Sequence, residues 1–180
     1  MTRLALALLV VALSSAGCYS AGLYGYDRTY VPLDEEEGLI ERATVPPYRD
    51  VRRDPREFRR ALVMWFGVVT STEAEPGGKV LVHTSHRIHQ DRHLCADMER
   101  DTCRVTVSER SEGVFSAIIA IRPEDTTGRN RLQTGSLVRV YGTVTGGYDA
   151  EGGPVLRARY YRHWPRGQYL TTAARGQMRR

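Results

Sequence analysis

Two stretches decide the fold: Leu137–Val144, LVRVYGTV, and Val155–Trp164, VLRARYYRHW. Apolar and polar residues alternate along both, the two-residue period of a strand with two unlike faces. In the first, Val138, Val140 and Val144 share a face with Gly142, while Arg139, Tyr141 and Thr143 share the other. In the second, the even positions Leu156, Ala158, Tyr160 and Trp164 read as inward and Arg157, Arg159, Tyr161 and His163 as outward. Glycines from Gly146-Gly147 to Gly152-Gly153-Pro154 mark the connection between them. If the strands are neighbours, Arg139, Tyr141, Arg157, Arg159 and Tyr161 form one exposed basic-aromatic face.

Working outward, Ala61–Ser71 (ALVMWFGVVTS) is apolar on both faces and β-branched, as a long buried strand is, with Gly67 at an expected bulge. The turn Glu75-Pro76-Gly77-Gly78 leads into a strand over Lys79–His86. A loop carrying Cys95 and Cys103, a strand over Arg104–Ser108, a turn, and an apolar run Val114–Ile121 follow. Pro123–Arg131 has the polarity of a turn or one short helix, and Asp54-Pro55-Arg56-Glu57 has the cap, proline and acid of a helix start. Short strands with glycine-marked turns predict a mainly β domain over residues 58–165, a small OB-like Greek-key β-barrel with one short helix. A basic tail, residues 166–180, completes the chain of 180 residues, and 41% hydrophobic content supports one packed domain but not two.

The beginning of the chain has a different character. Arg3 precedes an apolar run Leu4–Leu13 and the small residues Ser14–Gly17. That run is too short for a bilayer span of about 20 residues and fits a secretory signal. The sequence Ser15-Ala16-Gly17-Cys18 resembles the lipobox of bacterial lipoproteins, which implies removal of residues 1–17 and a diacylated Cys18. The other reading is an ordinary signal peptide cut beside Cys18. Three cysteines are an odd number for an exported protein. Lipid on Cys18 leaves Cys95 and Cys103 as an expected disulfide, whose short loop contributes about 2–3 kcal/mol. Residues 18–57 show no sustained period, only Tyr19, Tyr24, Tyr26 and Tyr30, the acidic run Asp34–Glu37 and Pro46-Pro47, and they read as a flexible tether.

The formal charge of +5 is unevenly placed. Residues 18–127 carry 15 basic and 19 acidic side chains, net −4, whereas residues 128–180 carry 10 Arg against Asp149 and Glu151, net +8. Lys79 is the only lysine beside 25 Arg, a skew that points to genome composition more than to phosphate recognition.

Placed in this order, Trp65-Phe66-Gly67-Val68-Val69, Gly113-Val114-Phe115, Gly135 to Gly146 (GSLVRVYGTVTG) and Tyr160-Tyr161-Arg162-His163-Trp164-Pro165 resemble the Slp family of starvation-inducible outer-membrane lipoproteins. The resemblance spans roughly residues 58–165 and implies a lipid-anchored OB barrel without catalytic residues, at the outer membrane facing the periplasm.

The densest chemistry is His83, His86, His89 and His93, ahead of Cys95. Imidazoles take Zn²⁺ or Cu²⁺, but on an extended strand positions 83, 86 and 89 alternate faces, and no HExxH spacing occurs. A solvated loop is the plainer reading. There is no GxSxG elbow, phosphate loop or CxxC pair, and Glu124-Asp125 after Pro123 reads as a helix start. No catalytic residue and no cofactor are expected. The leading functional reading is a non-catalytic envelope lipoprotein that serves as an interaction or structural module, its partners a membrane, through the lipid, and an envelope protein or cell-wall component. The alternatives are a binder of an anionic glycan, lipid head group or oligonucleotide through the basic-aromatic face, with nucleic acid not expected in the envelope, and a periplasmic metal binder through His83–His93.

Overall fold

The computed structural model describes residues 32–94 and 104–173, leaving aside the side chains of residues 91–94 and 104. The signal sequence, Cys18, the Tyr19–Tyr30 cluster, Cys95, Cys103, the His93 side chain and the end of the basic tail lie outside the described residues.

In chain order the elements are α1 (Asp34–Ile40), α2 (Tyr48–Arg53), β1 (Leu62–Glu75), β2 (Lys79–Arg87), β3 (His89–Leu94), β4 (Arg104–Val107), β5 (Val114–Ala120), a 3₁₀ turn (Pro123–Asp125), β6 (Leu137–Tyr148), β7 (Pro154–Trp164) and β8 (Tyr169–Thr171). Five strands close into a barrel in the order β1-β2-β5-β7-β6. Every barrel pairing is antiparallel except β5 with β7, which is parallel. That order, with the 3₁₀ turn between the third and fourth barrel strands, is the Greek key of an OB-like barrel. β3, β4 and β8 form a second, three-stranded sheet.

The barrel interior holds Val63, Trp65, Val69, Val82, Phe115, Ala117, Ile119, Val138, Val140, Val144 and Leu156, the inward positions of each strand. A second core lies against the barrel's outer wall: Phe66, Leu137 and Trp164 pack on Val105 and Val107 of β4. β6 is therefore buried on both faces, and its apolar alternation marks only the inner one. Gly67 faces inward where a Cβ would stand 2.7 Å from the Thr84 side chain, so its role is clearance for Thr84 and Phe115. The bulge expected there lies further along β1, between Val69 and Ser71.

Two further expectations are corrected. Residues 32–57 are not a loose tether throughout, because α1 and α2 fold onto the barrel, and Thr44 forms a parallel bridge with Val63. Tyr48 and Val51, three apart on α2, are the buried pair, too short a pattern to register as a helical period. Asp54 ends α2 and does not start a helix, its N–H donating to the Asp50 carbonyl at 3.1 Å.

The other correction is the facing of β7. Tyr141 pairs with Tyr160 but Gly142 pairs with Ala158, so Arg159 is an extra residue. A bulge reverses the inward parity beyond it. Leu156 and Ala158 face inward as expected, but past Arg159 it is Tyr161 that enters the core, while Tyr160, Arg162 and Trp164 lie on the outer wall with Tyr141, Arg139 and Leu137.

Candidate functional site

The segment before α2 shapes an apolar concavity. Thr44 is fixed beside β1 through its N–H to the Leu62 carbonyl, 2.8 Å, and its carbonyl accepts from the Met64 N–H, 2.9 Å. Pro46 and Pro47 then hold the chain extended, since neither ring permits a helical turn before it. The Pro46 carbonyl accepts the Trp65 indole N–H at 3.1 Å. Tyr48 drops its ring onto the barrel mouth, its hydroxyl donating to the Val114 carbonyl, 2.8 Å, and accepting from the Val114 N–H, 3.0 Å. Only glycine at position 113 permits this, because a Cβ there would stand 2.3 Å from the Tyr48 ring.

Tyr48, Trp65, His86 and Phe115 form one aromatic cluster, with the Trp65–His86 centroids 5.0 Å apart and Tyr48–His86 5.2 Å. Beside it opens a groove of about 450 Å³, lined by Val45, Pro46, Pro47, Met64, Phe66, Ile88 and His89. Arg49, Arg87 and Glu112 stand at its polar margin. His86 is 6% exposed, and its Nδ1 is buried without a hydrogen-bond partner among the described residues. Burial, reinforced by the Arg87 charge, lowers its pKa to about 4, so the imidazole is neutral and acts as one more aromatic wall. The rim is unusually apolar: Val45 is 63% and Ile88 47% exposed. A concavity of this size with an apolar lining and few polar groups is the ordinary form of a binding site.

The basic-aromatic face expected from sequence is present in part, but it is covered. Arg139 is 4% exposed and Tyr141 fully buried, whereas Arg157 and Arg159 are exposed and Tyr161 lies in the core. The cover is Glu36 of α1, itself fully buried. Its Oε1 accepts from Arg139 Nη1 at 3.3 Å and from the Tyr141 hydroxyl at 3.2 Å, and its Oε2 from Arg162 Nη1 at 2.9 Å. Arg139 also lies 4.9 Å over the Tyr141 ring and 5.2 Å over Phe66, and Arg162 lies 4.9 Å over Trp164.

Among the described residues His83, His86 and His89 do not come together as a set of three. His83 is on the outer face of β2 with Nδ1 2.8 Å from Ser116 Oγ and Nε2 3.3 Å from Glu73. His86 faces the aromatic cluster, and His89 stacks on Phe66 at 4.8 Å. Among the described residues no three His, Cys, Asp or Glu side chains group as metal ligands would. Ser116 beside His83 has the outline of an activated nucleophile, but its hydroxyl donates to Asp149 at 2.6 Å and the residue is fully buried. Substrate has no path to it, and the trio fixes the β6–β7 turn. Asp125 similarly accepts from Tyr161, 2.5 Å, and Arg122 Nε, 2.8 Å, holding the 3₁₀ turn against the barrel. Burial and the Asp125 contact push the Tyr161 hydroxyl up to about 12.

Sequence reasoning missed Tyr48, Trp65 and Pro46 as builders of the groove, and Glu36 and Arg162 as parts of the ionic cluster. The usable signal was the acidic run ahead of the Arg-rich strands. No protein-family model, curated protein or solved structure matches this chain.

Proposed function

We propose that this chain is a non-catalytic lipoprotein of the bacterial envelope, lipid-anchored at Cys18 to the outer membrane, and that its OB-like barrel holds a protein partner in the Pro46–Trp65–Ile88 groove. The observation that carries the reading is the exposure of Val45 and Ile88, both lining the same aromatic groove. Exposed apolar side chains concentrated at one concavity mark association surfaces. The lining also chooses between ligand chemistries. Its aromatic floor is uncharged, with His86 neutral, and Glu112 lines the groove along with Arg49 and Arg87, which supports apolar side chains over an anionic glycan or head group.

Capture from envelope extract, at low and at high salt, tests this with Ile88→Glu as the control. We expect a specific protein partner retained at high salt and lost in the variant. Equal retention by both proteins overturns the reading. Salt-labile retention of glycan or lipid that disappears on changing Arg157 and Arg159 to Gln would favour the polyanion alternative, because those are the arginines left exposed on β7.

A further inference from the structure

Apart from the groove, α1 has an unusual attachment to the barrel. A surface helix normally buries an apolar stripe. In α1 only Glu36 is fully buried; the apolar Leu39 and Ile40 are half-buried, Asp34, Glu35, Glu37 and Gly38 are exposed, and Leu33 at its start is 42% exposed. Seven residues are also too few for a helix to be stable by itself. The fully buried tie of α1 to the barrel is one carboxylate set among two guanidinium groups and a phenol, with Phe66 and Trp164 beside the guanidinium groups. Pairing charges in a buried setting carries a desolvation cost that offsets much of the attraction, so the closed and open arrangements differ little in free energy. The next fixed point in the chain is Thr44, clamped to β1; the N–H groups of Glu41, Arg42 and Ala43 donate back to α1, so the pivot lies at Ala43-Thr44.

We propose that α1 is an internal pseudo-ligand: Glu36 occupies a carboxylate receptor formed by Arg139, Arg162 and Tyr141, and an acidic segment of a partner protein displaces it. The occupant follows from the site's present one, a glutamate carried on an acidic helical turn. Opening leaves Arg139 and Arg162 solvated on the outer wall of β6 and β7, where a second acidic segment finds the same bidentate and aromatic contacts. While α1 is tethered its effective concentration is of millimolar order, so external ligand competes poorly until the internal one is weakened.

The test uses the full chain in mild detergent and a fluorescent peptide of the α1 sequence, residues 33–40 (LDEEEGLI). Glu36→Gln should raise peptide affinity about tenfold or more, equivalent to about 1.4 kcal/mol or more, with the gain abolished at high salt and in Glu36→Gln combined with Arg162→Gln. Glu35→Gln removes the same charge from an exposed position and should change nothing. Equal affinity in the Glu35→Gln and Glu36→Gln proteins overturns the proposal. So does a Glu36→Gln protein that gains binding to phosphatidylglycerol vesicles but not to peptide. Should that variant fail to fold, hydrogen exchange on the unaltered chain decides: saturating peptide must deprotect the α1 amides and leave β1 and β6 unchanged, and unchanged α1 protection overturns the idea. Ile88→Glu should leave peptide binding intact, which separates this receptor from the groove.

Discussion

At His86 the fold replaces a residue's usual chemistry with packing. The imidazole is enclosed by Tyr48, Trp65 and Phe115, and burial first, then the Arg87 charge, lowers its pKa to about 4 from 6.5. Above pH 6.5 both folded and unfolded chains carry it neutral, and it contributes no pH dependence. Below that, the unfolded chain takes up a proton that the folded chain refuses, so stability falls as pH drops from about 6.5 to about 4 and the slope then ends. The whole loss from this group is on the order of 3 kcal/mol. His86→Phe keeps an aromatic ring in the cluster and removes the proton, so the variant should lack that part of the acid destabilisation. Urea denaturation of both proteins at pH 7 and near pH 4 checks it, and parallel losses in the two would refute the assignment. The spacing of the His-rich stretch carries no sign of this role, because it locates imidazoles on faces but does not say which face is dry.

Among the elements, those with sustained alternation were legible and those made by docking were not. β6 was readable from Val138, Val140 and Val144, and the turns at Gly77-Gly78 and Gly152-Gly153 from their glycines, several of which have positive φ. Tyr161 was misplaced because nothing in RARYYR announces that Arg159 is an extra residue. Arg139 and Tyr141 were assigned to the correct side of β6, but a strand pattern cannot reveal that a distant acidic turn will cover that side. α1 and α2 have too few apolar residues to show a period, and they owe their order to contacts with β1, β5, β6 and β7. β4 agrees with the strand expected over Arg104–Ser108, but β3 was hidden for a related reason, since HQDRHL has a single apolar residue, Leu94. Cys95 and Cys103 lie outside the described residues, and their pairing rests on the odd cysteine count and the short loop between them. We expect a Cys95–Cys103 bond in protein recovered from an oxidising envelope, with Cys95→Ala lowering stability by about 2–3 kcal/mol without disrupting the barrel. Non-reducing peptide mapping decides it; two free thiols in such material would refute the bond.

On the scale of the whole molecule, release of α1 would free the described chain only as far as Thr44, which stays bonded to Leu62 and Met64 of β1. The proposed lipid anchor, Cys18, lies outside the described residues. Intact-mass analysis of membrane-extracted protein should show residues 1–17 absent and a diacylglycerol mass added to Cys18. Cys18→Ser should move the protein to the soluble fraction, because the proposed lipid is its tie to the membrane; among the described residues no helix is long and apolar enough to cross one. Unchanged membrane retention of Cys18→Ser would place the attachment elsewhere, while the Glu36 receptor would still stand.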